Sequence, residues 1–113
     1  MLEEIRNAVI ESTRLTVADH GVLSSWIYLD YGGAGQGFGG YCLATNPSRK
    51  GEKGVTHVCG LYLWRLLEIA GVDDYEKLPG RPIRVKATHN GITSIGHYLK
   101  DDWFTPKEDL CTQ

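Results

Sequence analysis

Arg81, Arg84 and Asn90, together with the flat side chains Trp26, Phe38, Trp103 and Phe104, are ingredients for holding a small nucleotide. Guanidinium and backbone N–H groups take phosphate, aromatic faces stack on a base, and an amide reads its edge. The backbone donors would come from the run Asp30-Tyr31-Gly32-Gly33-Ala34-Gly35-Gln36-Gly37-Phe38-Gly39-Gly40-Tyr41, where six of the fourteen glycines fall within nine residues. Glycine carries the largest entropy cost on folding. A cluster of it therefore belongs where the chain turns sharply or where something approaches closely, either a ligand phosphate or another piece of protein.

Chemistry that turns over a substrate is poorly supplied. The pattern G-x-G-x-x-G fits Gly35, Gly37 and Gly40, but a dinucleotide fingerprint must open a helix, and here Tyr41-Cys42-Leu43-Ala44 reads as strand, followed by a turn at Asn46-Pro47. His57 and Cys59 are two apart at a helix start, which is not the i, i+4 face of a metal pair, and no C-x-x-C occurs. The carboxylates Asp30, Asp73, Asp74, Asp101 and Asp102 fall at strand ends, caps and the tail, and no G-x-S-x-G nucleophile motif is present. A binder without metal or cofactor is expected rather than an enzyme.

The elements that must position these groups read as one α+β domain over 1–113. The expectation is an antiparallel sheet of about five strands on one main helix, with a short second helical turn. Strands are predicted at Ile5–Val17, Val22–Tyr31, Phe38–Ala44, Arg81–Thr88 and Ile92–Leu99, so the glycine run would join neighbouring strands. Asn90-Gly91 is a strong hairpin signal. Asn46 to Gly54 reads as a solvated loop whose Arg49, Lys50 and Lys53 could line a mouth for an anionic ligand. The helix is predicted over Thr56–Ala70 with Gly71 as its C-terminal cap, and its apolar character nearly all round calls for a covering sheet or a second copy. A helical turn capped by Asp73 should follow, and the tail from Asp101 to Leu110 carries two aromatics that need a surface to dock on.

A net charge of -2 and a pI near 6.0 argue against duplex DNA as a partner. No apolar run is long enough to span a membrane, the acidic start does not read as a signal peptide, and Cys42, Cys59 and Cys111 read as reduced thiols of a cytoplasmic protein.

The order Ile10-Glu11-Ser12-Thr13, Asp19-His20-Gly21, Leu29-Asp30-Tyr31-Gly32-Gly33, Gln36-Gly37-Phe38-Gly39-Gly40-Tyr41, Gly71-Val72, Leu78-Pro79-Gly80 and Gly96-His97-Tyr98-Leu99-Lys100-Asp101-Asp102-Trp103-Phe104 resembles the first family of phage Thoeris anti-defence proteins, over nearly the whole chain. The resemblance implies a non-catalytic sponge in the host bacterial cytoplasm. It would capture the cyclic ADP-ribose isomer made by TIR-domain sensors, as a homo-oligomer (a dimer or a larger assembly of dimers) with pockets where subunits meet. It also implies an asparagine and an arginine late in the chain as ligand contacts. Asn90 matches the asparagine, and Lys107 stands in the region of the arginine, which would replace a bidentate phosphate contact by a point charge. A protein–protein inhibitor of a host defence component and a nucleotide-degrading enzyme are the alternative expectations.

Overall fold

The computed structural model describes residues 3–18, 21–45 and 57–110. Six strands form one antiparallel sheet: β1 (Glu4–Thr16), β2 (Ser24–Tyr31), β3 (Ala34–Gly39), β4 (Pro82–Thr88), β5 (Gly91–Gly96) and β6 (Trp103–Phe104), in the order β3-β2-β1-β4-β5-β6. The helix α1 (His57–Ala70) packs on it, a 3-10 turn covers Tyr75–Lys77, and a short helix α2 (Pro106–Asp109) follows β6. The α+β class is therefore as expected, with a sixth strand where the sequence reads as tail. The loop holding Arg49, Lys50 and Lys53, the proposed helix start at Thr56, and Cys111 lie outside the described residues.

The alternation along β1 puts Ala8 and Ile10 into the core, where they meet Ile27 and Leu29 of β2 and Ile83 and Val85 of β4. Between Ile10 and Ser12 the pairing with β2 slips by one residue, so that Thr13 rather than Ser12 lies opposite Ile27. Such a bulge resets which side chains face inward and sharpens the twist of the sheet. The sheet curls far enough that a Cβ on Gly91 of β5 would stand 3.3 Å from Gln36 Nε2 of β3. Helix α1 closes the curl with Tyr62, Leu66, Ile69 and Ala70. It ends at Gly71 (φ 71°), whose N–H donates to the Glu68 carbonyl while that of Val72 donates to Leu67, the left-handed termination expected from the sequence. Trp64, on the far side of α1, is 68% exposed. No helix among the described residues is long and apolar enough to cross a membrane.

Four sequence expectations shift. The third strand is Ala34–Gly39, not Phe38–Ala44, so the glycine run is itself a strand and the connection to β2 is only the Gly32-Gly33 turn. The fifth strand stops at Gly96 rather than Leu99, because the chain folds back there with the His97 N–H donating to the Asp102 carbonyl. The hairpin connection is two residues, His89-Asn90, with Gly91 (φ 142°) already paired to Thr88. Asp73 does not cap the 3-10 turn; the capping position is Asp74, without a side-chain bond, and both carboxylates instead reach Lys77 at 3.3 and 3.1 Å.

Candidate ligand-binding site

The glycine run has an occupant already. The Trp26 indole, stacked beside Tyr28 with ring planes 9° apart, lies across the strand opposite it. A Cβ on Gly37 would come within 3.1 Å of that indole and one on Gly40 within 2.4 Å, while one on Gly39 would stand 2.0 Å from the Ser25 carbonyl oxygen. The close approach that the glycines permit is thus made by protein.

Several candidate ligand residues are engaged in the same structural way. Phe38 and Phe104 are sealed in the core at 1% and 0% exposure. Arg81 donates through Nε to the Ala70 carbonyl at 3.0 Å, satisfying a carbonyl at the end of α1 that the helix leaves unpaired. Arg84 donates to the carbonyls of His97 (2.9 Å) and Lys100 (2.7 Å), so it pins the turn between β5 and β6, with its guanidinium 4.9 Å from the Trp103 ring centre. Trp103 lies over Gly96, where a Cβ would be 2.5 Å from the ring. Arg65 fixes the same turn from α1, bonding Asp102 at 2.8 Å and the Trp103 carbonyl at 3.0 Å. That guanidinium holds the Asp102 carboxyl below the usual carboxylate range.

Asn90 and Lys107 are brought together. They line one cleft of about 520 Å³, with Tyr41, Lys86, Thr105 and Glu108 among its other walls. Its floor is β5, and the reason it is open is the shortness of β6. Only Ile95 and Gly96 are paired by β6, which leaves the outer edge of Gly91–Ser94 without a strand partner among the described residues. Unpaired edge groups are ready hydrogen-bond donors and acceptors for whatever enters.

The turn at the tip is held by Thr88, whose hydroxyl accepts the Asn90 backbone N–H at 3.1 Å. The Asn90 amide itself makes no hydrogen bond among the described residues and is available to a ligand. On the opposite wall α2 begins after Thr105, whose hydroxyl bonds Ser94 at 2.6 Å and whose N–H donates to Asp109 at 2.8 Å. These bonds fix the segment that carries Lys107, and Lys107 has no ion pair among the described residues. Glu3 accepts from the Thr93 hydroxyl. Lys86 lies 4.5 Å from the Trp103 ring centre, so Trp103 reaches the cleft only through that ammonium. Burial pushes the Tyr41 phenol above its ordinary value.

Lys86 and Tyr41 were not singled out from the sequence. Lys86 had a signal, since it alternates with Arg84 and Thr88 along a predicted strand that leads to the Asn90 turn. Tyr41 closes the glycine run, but its position at the cleft is not readable, because β3 ends at Gly39 rather than continuing through Tyr41. Among the described residues no group of three or more histidine, cysteine or carboxylate side chains converges as a metal site. Compared with protein-family models, with curated proteins and with solved structures, the chain matches none.

Proposed function

We propose that the chain is a phage anti-defence protein that binds a cyclic ADP-ribose isomer in the Asn90–Lys107 cleft and withholds it from the defence effector without degrading it. The reading rests on the resemblance of the sequence. The structural observation that carries it is that the two residues matched to ligand contacts face one cleft, each without a side-chain partner among the described residues. A volume of about 520 Å³ falls within the range of about 300–1,000 Å³ usual for small-molecule sites. In this reading Lys107 and Lys86 neutralise the pyrophosphate, Asn90 and the open edge of β5 read polar edges, and Tyr41 supplies an aromatic wall. A sponge needs slow release rather than turnover, which polar donors on a fixed backbone and nearby cations favour.

Subunits are proposed to meet on the outer face of α1, where Trp64, Leu67 and Val72 border a shallow hollow with Glu68 and Asp73, so the cleft is read as a pocket within one subunit, unlike the between-subunit pockets the resemblance implies. The site of action would be the host cytoplasm, where the signal is made. The test is incubation of the protein with extract from an activated TIR sensor, then filtration, heat denaturation and mass spectrometry of what is released. Intact cyclic ADP-ribose isomer supports sequestration. A degraded product makes the protein an enzyme, and an empty protein that nevertheless pulls down a host component makes it a protein–protein inhibitor.

A further inference from the structure

We propose that the open end of the curled sheet is a further anion site, at which Arg6, Gln36 and His89 take a phosphate group. Alternate residues of β1 face inward, and after Ile10 and Ala8 the next two inward positions are Arg6 and Glu4. Beyond the end of the core these two, with Tyr31, Gln36, Ala87 and His89, line a cleft of about 390 Å³. It adjoins the Asn90–Lys107 cleft at the hairpin tip, where Thr88 lines both.

Two of the donors, Arg6 and Gln36, are held in place before any ligand arrives. The Arg6 guanidinium carbon stands 5.2 Å from the Tyr31 ring centre, and Nη2 occupies the space over Gly32, where a Cβ would be only 3.2 Å away. Stacking fixes the plane of the fork without using its N–H groups. Among the described residues Arg6 has no ion pair or hydrogen bond. The Tyr31 hydroxyl donates to Gln36 Oε1 at 2.7 Å, which commits the other end of that amide, its NH2 group, as a donor. A fixed guanidinium, an oriented amide and an imidazole around one opening suit a tetrahedral oxyanion, whose charged acceptors bind such donors most strongly. Glu4 is the opposing group, a carboxylate in the same cleft that repels an anion.

The proposal predicts variants that move affinity in opposite directions, which a merely structural role would not. The full chain, labelled with nitrogen-15, is titrated with inorganic phosphate at constant ionic strength while the Arg6 Nε and Gln36 side-chain NH2 resonances are followed. Saturable shifts at both are expected. Arg6→Gln should weaken binding at least about tenfold, the loss of charged hydrogen bonds. Glu4→Gln should tighten it several-fold, and Asn90→Ala with Lys107→Ala should leave it unchanged. Shifts that never saturate, that survive Arg6→Gln, or that vanish in the Asn90/Lys107 variant would overturn the site. Should Arg6→Gln not fold, the direction of the Glu4→Gln change decides alone. The cyclic ADP-ribose reading stands or falls separately, on the Asn90/Lys107 variant with that ligand.

Discussion

The glycine-rich edge around β3 and the cleft beside β5 are opposites in how composition relates to availability. The first is the most unusual stretch of the sequence and has the features of a ligand loop, yet Trp26 fills the space its missing side chains create. The second is built from ordinary residues, a lysine, an asparagine, threonines and a tyrosine, and it is open because one strand is two residues long. An absent side chain signals close approach without saying what approaches. A free side chain marks a site only when its neighbours are fixed.

The sharpest way to break this contrast is to put a methyl group on the glycine edge. Gly39→Ala meets both a φ of 137° and a carbonyl oxygen at 2.0 Å, so urea denaturation should show a loss above about 3 kcal/mol or no folded protein. Gly33→Ala, with φ 84° but open space, should cost only about 1 kcal/mol. Trp26→Ala comes next. The indole is half-buried rather than sealed, so a loss of about 2 kcal/mol is expected, with ligand affinity unchanged in calorimetry. Lys107→Ala should do the reverse: stability within about 0.5 kcal/mol of the parent, and affinity for a cyclic ADP-ribose isomer about tenfold lower. If instead Trp26→Ala abolishes binding and Lys107→Ala does not, the site is on the glycine edge.

The smallest effect concerns acid. Because Arg65 lowers the Asp102 carboxyl in the folded state, that pair stabilises the protein above the unfolded carboxyl value of about 3.9, and the contribution is lost as pH falls through the lower folded value. Asp102 is well exposed, so less than about 1 kcal/mol is at stake. Comparing the acid melting curves of the parent and Asp102→Asn should show the parent losing this advantage below about pH 4, with the cleft itself unaffected.

The fold class, the capped helix and the two hairpins were legible because periodicity and turn residues act locally. Ile27, Leu29 and Tyr31 alternate inward as the pattern requires, and Gly71 ends α1 where it should. What was not legible depends on register. The bulge between Ile10 and Ser12 reverses the inward phase within β1, which is why its apolar face reads as only partly apolar. The tail became a strand because Trp103 covers Gly96 and Phe104 enters the core, contacts made across the sheet edge rather than along the chain. For the site, the Asn90 turn could be read from the hairpin signal. The meeting of Asn90 with Lys107, Lys86 and Tyr41 could not, since it requires knowing that β6 stops short. That Arg81 and Arg84 serve backbone carbonyls rather than a phosphate could not be read either, because those carbonyls lie on other elements.

The indole laid over β3 also sets where this gene can drift. Any side chain at Gly39 or Gly40 adds a Cβ that collides with the Ser25 carbonyl or with Trp26, so those two positions are closed to gradual change, while one at Gly37 asks the indole to give by a few tenths of an ångström. Lys107 and the Asn90 side chain support nothing else in the described structure, so single substitutions there can alter the lining of the cleft while the frame stays intact. Lineages carrying this protein would then diversify at the cleft first.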